Sequence, residues 1–248
     1  MSLFSNLFKR TPPSEPIDLS IIGIDMHSHF IPAIDDGAQT INDSVEMITT
    51  MAGLGYRKVI TTPHIMGDFY RNTPEIINAG LEQVRKEVAA AGVSIEIEAA
   101  AEYYFDFELE RKLDNEKLLT MGDNYLLFEV SYMNSPDNLD GIIFKMQTQG
   151  YKPILAHPER YPYWFRDMGN FERLKDKGVF FQLNLNSLTG HYSPATMKVA
   201  EQMIDKGWYE FLGSDCHHVG HLELIKKVRS APALRKLVES GKLLNSTL

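Results

Sequence analysis

Two histidines stand two residues apart in Asp25-Met26-His27-Ser28-His29, directly after the apolar run Ile21, Ile22, Gly23, Ile24. If that run is a strand, side chains two apart share a face. His27 and His29 then leave its carboxyl end as a pair of nitrogen ligands. A lone His-x-His is a weak signal, because capping and core imidazoles are common. Here the same kind of residue recurs wherever an apolar run ends. Asp35 and Asp36 follow the first run, Thr62-Pro63-His64 ends the second and Ala101-Glu102 the third. Glu129 lies near the end of the fourth, and Ala156-His157-Pro158-Glu159-Arg160 ends the fifth. The sixth closes on Asn184-Leu185-Asn186 and the seventh on Gly213-Ser214-Asp215-Cys216-His217. Five of the eight histidines occupy these positions.

Imidazole mixed with carboxylate suits zinc, manganese or iron, whereas an all-oxygen set favours magnesium or calcium. The donors exceed the needs of one ion, so two or three divalent ions bridged by carboxylates are expected. Such sets activate water and clamp phosphoryl oxygens. Arg160 could grip a phosphate through two parallel hydrogen bonds. The plain alternative for it is a surface ion pair with Glu159 or another acid.

Bringing these residues together requires that the ends of separate strands meet. Strand candidates are Ser20–Asp25, Lys58–Thr62, Ser94–Ala100, Tyr125–Val130, Pro153–Ala156, Val179–Asn184 and Glu210–Gly213. Between them lies helical spacing: Ile41, Val45, Ile48 and Ala52 behind Thr40 as N-cap, then Pro74–Ala90, Pro136–Gln149, Asn170–Lys177 and Pro194–Lys206. Gly55, Gly92, Gly150, Gly178 and Gly207 stand where helices should end. Seven strand-helix units imply a parallel sheet with helices outside, and sites in that architecture gather at the carboxyl ends of strands. An open doubly wound sheet and a closed barrel both fit. One catalytic domain over residues 20–248 is expected, preceded by an arm of residues 1–19.

The 248 residues carry a net charge of -8, which disfavours nucleic acid as the partner. The single cysteine, Cys216, excludes an intramolecular disulfide and fits a reducing compartment. No apolar run approaches the roughly 18 residues of a membrane span. The arm holds Leu3, Phe4, Leu7 and Phe8 beside Lys9 and Arg10, and reads as a loosely packed segment or a weakly membrane-touching helix. It is too short for a secretory signal with its cleavage site, so a cytoplasmic protein is expected.

With these motifs in place, the chain resembles the polymerase-and-histidinol-phosphatase (PHP) superfamily over nearly all of residues 21–230. It looks most like the bacterial manganese-dependent protein tyrosine phosphatases of capsule and exopolysaccharide operons. The resemblance implies a distorted seven-stranded, TIM-like (β/α)7 barrel holding two or three divalent ions, manganese first. By that resemblance His27, His29, Glu102 and Asp215 hold one ion, and Glu102 bridges to a second that also takes His157. Asp36, His64 and His217 hold a third. Glu129 is a further ligand of the second ion or a nearby acid, and Arg160 matches a phosphate-binding arginine. The implied substrate is a phosphotyrosine protein, a tyrosine kinase of polysaccharide synthesis or export, with peripheral contact to that membrane-bound kinase. One departure stands out. The family usually carries another arginine beyond the last Asp-x-His, where this chain reads His218-Val219-Gly220-His221-Leu222. His221, Arg166 or Arg229 would have to serve instead, and His217, His221 or a metal-bound water would be the acid for the leaving oxygen.

A cysteine-nucleophile phosphatase fails on sequence, because the position six residues beyond Cys216 is Leu222 and not arginine. Histidinol phosphate is the alternative substrate, a nuclease the next, and a metal-stabilised phosphotyrosine-binding protein without turnover the non-enzymatic option. Tyr103-Tyr104-Phe105 and Tyr161-Pro162-Tyr163-Trp164-Phe165 either wall the substrate pocket or pack against the rim.

Overall fold

The computed structural model describes residues 15–248, so most of the expected arm, residues 1–14, lies outside the described residues. From Ile17 onward the chain is packed down: Ile17 and Leu19 are buried, and Ile17 exchanges hydrogen bonds with Arg229.

The elements in chain order are β1 (Ile24–Asp25), α1 (Ile41–Gly53), β2 (Lys58–Thr61), β3 (His64–Ile65), α2 (Pro74–Ala90), β4 (Glu96–Ala99), β5 (Glu102–Tyr104) and α3 (Phe107–Asn115). They continue with β6 (Tyr125–Glu129), α4 (Leu139–Thr148), β7 (Lys152–Ala156), α5 (Gly169–Asp176), β8 (Phe180–Asn184), α6 (Pro194–Lys206), β9 (Phe211–Gly213), α7 (Val219–Val228) and α8 (Pro232–Glu239). Every strand pairing is parallel. Two sheets result, β1-β2-β4 and β3-β5-β6-β7-β8-β9. They are continuous along the chain, since β3 extends β2 and β5 extends β4 after short breaks. The seven extended stretches therefore neighbour one another in chain order. A parallel bridge between Ser28 and Cys216 sets the chain after β9 beside the chain after β1. Asp215 N–H donates to His27 O at 2.8 Å and His29 N–H to Cys216 O at 3.0 Å. This is the distorted TIM-like barrel that the resemblance implied.

Alternation along the strands sorts the apolar side chains into two layers. Ile24, Ile60, Ala100, Leu127, Ile154, Ala156 and Phe211 form an inner cluster. Val59, Ile97, Leu126, Phe128, Leu155, Phe181 and Leu212 pack outward against the helices. Helix signals were accurate where capping is strong. Thr40 and Asp43 form a reciprocal capping box on α1, while α2 and α6 start at Pro74 and Pro194 behind the N-caps Thr73 and Ser193.

Two expectations need correction, and five elements were not expected at all. The first strand is not Ser20–Asp25: Leu19–Ile21 is a 3-10 turn, and Gly23 at φ 72° turns the chain so that only Ile24 and Asp25 pair with β2. The helix expected from Pro136 begins at Leu139, because Asn138 takes a left-handed conformation. The short strands β3 and β5 and the helices α3, α7 and α8 went unread.

Candidate metal centre

The inward-facing rows of the barrel turn polar at their carboxyl ends. Tyr125 and Leu127 lead to Glu129, Ala100 leads to Glu102 and Tyr104, and Phe180 leads to Gln182 and Asn184. Outer partners on the same strands, such as Tyr103 and Phe181, face the helices. Strand β7 departs from this rule. Ile154 and Ala156 point inward, so simple alternation would aim His157 outward. A left-handed backbone at His157, φ 35°, re-aims its ring onto Glu102. Asp215 is likewise left-handed, φ 47°. Non-glycine residues held there store strain of about 1–3 kcal/mol and concentrate at functional sites.

Glu102 is the hub. Its Oε2 lies 3.1 Å from His27 Nε2, 3.5 Å from His29 Nε2 and 3.2 Å from His64 Nδ1, and its Oε1 lies 3.2 Å from His157 Nε2. Asp215 Oδ1 lies 3.4 Å from His27 Nε2, 3.5 Å from His29 Nε2 and 3.4 Å from His217 Nδ1. Asp36 Oδ1 is 3.5 Å from both His64 Nε2 and His217 Nε2. Glu129 approaches His64 Nδ1 at 3.4 Å and His157 Nε2 at 4.0 Å. All nine residues expected as ligands thus converge. Eight of them form three overlapping donor groups whose ligand atoms lie within 4.8 Å, namely His27, His29, Glu102 and Asp215; His29, Asp36, His64 and His217; and His64, Glu102 and Glu129, while His157 joins through Glu102 Oε1.

The hydrogen bonds behind the rings show what belongs between them. Gln182 Oε1 accepts the backbone N–H of His157 at 3.2 Å, which identifies that atom as oxygen. His27 Nδ1, 2.9 Å from the same oxygen, must then carry the proton. A neutral His27 consequently points a bare Nε2 lone pair at Glu102. Asp35 Oδ2 at 2.8 Å does the same for His29, whose bare Nε2 faces His27 Nε2 at 3.4 Å. His217 gives Nδ1–H to Asp215 O at 3.0 Å and turns Nε2 toward Asp36. His64 Nδ1 is buried with no hydrogen-bond partner. Lone pairs converging on lone pairs repel unless protons or metal cations lie between them. Such backing bonds are how metal-binding histidines are fixed in tautomer and direction. The residues fit a multi-ion centre.

The fields within the cluster are strong. Burial alone would lower the basicity of His27 and His29, but Glu102, Asp215 and Asp35 outweigh it and raise both. Burial would raise Asp215 and Glu102, yet the surrounding imidazoles, with Arg160 beside Asp215, hold both carboxyls well below their usual range. Glu129 is pushed well up by burial and by repulsion from Glu102 and Asp215. Burial and the Arg160 charge bring His157 down to about 4.

Above His27 and His29 opens a cavity of about 430 Å3 whose lining includes His64, Tyr70, Tyr104, Tyr132, Met133, Arg160 and His217. Arg160 is the arginine that lines it. Its Nη1 donates to Asp215 Oδ2 at 2.8 Å, and its guanidinium sits 4.0 Å from the Tyr192 ring centre and 4.9 Å from that of Tyr132. Asn184 Nδ2 donates to both Asp215 Oδ2 and Tyr192 Oη. Glu159 is no partner for Arg160. It is buried and accepts from Asn184 N–H, Ser187 Oγ and Tyr209 Oη, with burial pushing its carboxyl up to about 7.

Other candidates fall outside the cavity. His221 lies on α7 behind the Asp215 loop, its Nδ1 3.2 Å from Asp215 O, and burial with His218 takes it down to about 4. Arg229 Nε is spent on Ile17 O, and Arg166 does not line the cavity. Of the aromatic segments only Tyr104 reaches it. Tyr103 packs outward with its hydroxyl accepting from Leu119 N–H, and Tyr161 and Trp164 are buried. Cys216 is buried against Met47, and burial raises its thiol far from reactivity. Sequence reasoning missed Gln182, Tyr70, Tyr132 and Tyr192, and did not assign Asp35 its backing role. The row Phe180-Gln182-Asn184 carried a period-two signal for the first of these.

Parallel strands ringed by helices, with a multi-donor metal centre at their carboxyl ends, define a TIM-barrel-like α/β protein built around that centre. The chain belongs to the capsular polysaccharide synthesis family CpsB/CapC, whose family model matches residues 23–231. Among similar proteins is the tyrosine-protein phosphatase YwqE of Bacillus subtilis, 29% identical over 197 residues that span 79% of this chain and 78% of the relative. The tyrosine-protein phosphatase CpsB of Streptococcus pneumoniae is 24% identical over 202 residues, covering 79% and 83%. A chain from the crystal structures of these two proteins, described as unique metal-dependent tyrosine phosphatases, matches with TM-score 0.79 and 27% identity over 90% of this chain and 89% of that one. The phosphotriesterase homology protein of Escherichia coli, at TM-score 0.53 and 12% identity over 90% and 96%, shares the fold alone. Among the described residues no helix is long and apolar enough to cross a membrane.

Proposed function

We propose that the protein is a manganese-dependent phosphatase acting on phosphotyrosine in proteins, within one catalytic domain spanning residues 20–248. The observation that carries this reading is the convergence of bare imidazole nitrogens and carboxylates beneath an open cavity whose arginine is Arg160. In this reading His27, His29, Glu102 and Asp215 hold one ion. Glu102 is shared with a second site completed by His157 and Glu129, and Asp36, His64 and His217 serve a third. Bound there, the ions supply Lewis acidity that makes a water nucleophilic near neutral pH and offsets phosphoryl charge. Arg160 receives the phosphoryl oxygens. One edge of its guanidinium is tied to Asp215 and its faces are held between Tyr132 and Tyr192, so little ordering remains to be done when substrate arrives. Tyr70, Tyr104 and Tyr132 offer ring contacts to an aryl ester. A phenolic leaving oxygen, with a pKa of about 10, demands little protonation, which suits a cavity that His221 does not enter. The substrate we infer is a cytoplasmic segment of a membrane-associated tyrosine kinase of polysaccharide synthesis.

The test supplies manganese, zinc or iron to metal-stripped protein and compares p-nitrophenyl phosphate, a phosphotyrosyl peptide and histidinol phosphate. Expected are turnover of the first two, best with manganese, abolition by chelator and indifference to thiol alkylation. Activity surviving excess chelator, or a preference for histidinol phosphate, would sink the reading.

A further inference from the structure

A second groove, of about 520 Å3, runs beside the catalytic cavity between the 65–73 segment and the first turn of α3. Met66 and Tyr70 line both spaces, so the two adjoin. Tyr70 stacks on the candidate ligand His64 at 5.6 Å and 14°, which makes one ring the partition between them. The groove is held open by design of the backbone. Met66 and Tyr70 pair across a tight turn, and Gly67 N–H donates to Asp106 Oδ2, while Asp106 Oδ1 caps α3 by accepting from Leu109 N–H. A Cβ at Gly67 would meet Glu108 Cγ at 2.6 Å, so the approach of loop to helix depends on glycine there. Phe107 lies along the groove with 77% of its surface exposed, and Phe69 stands at the tip of the turn with 74% exposed. Few large apolar side chains of the described residues are left so open; Phe107 lines the groove that adjoins the catalytic cavity, and Phe69 stands on the turn between its lining residues Asp68 and Tyr70.

Resting on the phosphatase reading above, we propose that this groove seats the polypeptide flanking the phosphotyrosine, through an apolar side chain packed on Phe107. A small phosphoester ends within the catalytic cavity. Only a ligand continuing past the phenyl ring crosses Tyr70 into the groove, and a peptide is the substrate form that does so. The groove then selects among tyrosine sites by their neighbours, while the ions and Arg160 act on the phosphate common to all.

The test is kinetic, with Phe107→Ala in the manganese-loaded protein. The side chain is exposed and outside the catalytic cavity, so the fold and turnover of p-nitrophenyl phosphate should be unchanged. Against a phosphotyrosyl peptide with leucines near the tyrosine, kcat/KM should fall about tenfold, chiefly through KM. Serine in place of those leucines should impose the same loss on the wild type and none further on the variant. Equal effects on both substrates, or none on the leucine peptide, would overturn the proposal. So would an altered sedimentation mass without a peptide effect, which would make the groove a contact between copies of this chain. Wild-type protein inactive on both substrates overturns the phosphatase reading and this inference with it, whereas an active wild type with an unaffected variant overturns the groove alone.

Discussion

His27 shows how much of this site rests on residues that never touch substrate. Its ring is aimed by Gln182, whose oxygen also accepts the His157 N–H. Gln182→Met keeps the length but removes the acceptor, freeing the tautomer of His27 and leaving a buried N–H unpaired. Backing partners of this kind are worth about 10–100-fold in metal affinity, so the variant should lose ions on dialysis at concentrations the wild type tolerates, read by elemental analysis. Tyr192 is a second case. Tyr192→Phe preserves the ring under Arg160 and should leave KM for aryl phosphate nearly unchanged. Tyr192→Ala removes a cation-π contact worth about 0.5–2 kcal/mol and should raise that KM several-fold. That these histidines and carboxylates converge was readable from sequence because such residues are rare at the end of apolar runs. Gln182 was marked only by its place in the inward row Phe180-Gln182-Asn184, and Tyr192 not at all, since a tyrosine in a loop does not depart from ordinary composition.

At the level of elements, capping chemistry was legible and backbone exceptions were not. Helices α1, α2 and α6 follow their Thr or Ser caps and prolines, because those signals act within a few residues. The first strand was over-read because Gly23, at φ 72°, turns the chain, and a Cβ there would meet Arg57 Nε at 3.1 Å. The loop carrying Asp35 and Asp36 depends on another glycine. A Cβ on Gly37 would lie 2.3 Å from His29 O and 2.4 Å from His29 Cβ. Gly37→Ala must displace both the loop and the His29 backbone, and should cut phosphatase turnover at least tenfold while lowering metal content. Ser193→Ala, which uncaps α6 away from the cavity, should instead cost about 1 kcal/mol of stability in chemical denaturation and leave turnover intact.

Across the whole molecule, the metal centre ties together the ends of most of the strands. If ions bind at these converging donors, they add to the stability of the folded state by linkage. Ligand linkage at about a thousandfold excess over Kd contributes about 4 kcal/mol. For a chain of 248 residues that corresponds to roughly 8–16 °C. Chelation should lower the thermal midpoint by that order in calorimetry, with recovery on adding manganese, and an unchanged midpoint would count against a stabilising multi-ion centre. The acidic net charge of -8 is no obstacle to a phosphorylated ligand, since the ions and Arg160 define the local field.

Residue type and order along the chain were enough to establish metal chemistry, parallel α/β architecture and the exclusion of a cysteine nucleophile. Those conclusions follow from local facts: period-two alternation, capping, and which side chains offer lone pairs. Folding alone determined that Glu102 is the hub, that His157 is turned inward by a left-handed backbone, and that Arg160 leans on Asp215 rather than Glu159. It also set His221 behind the site and opened a groove beside Tyr70. Each of these depends on the approach of segments far apart in sequence, where distance and direction, not residue identity, set the interaction.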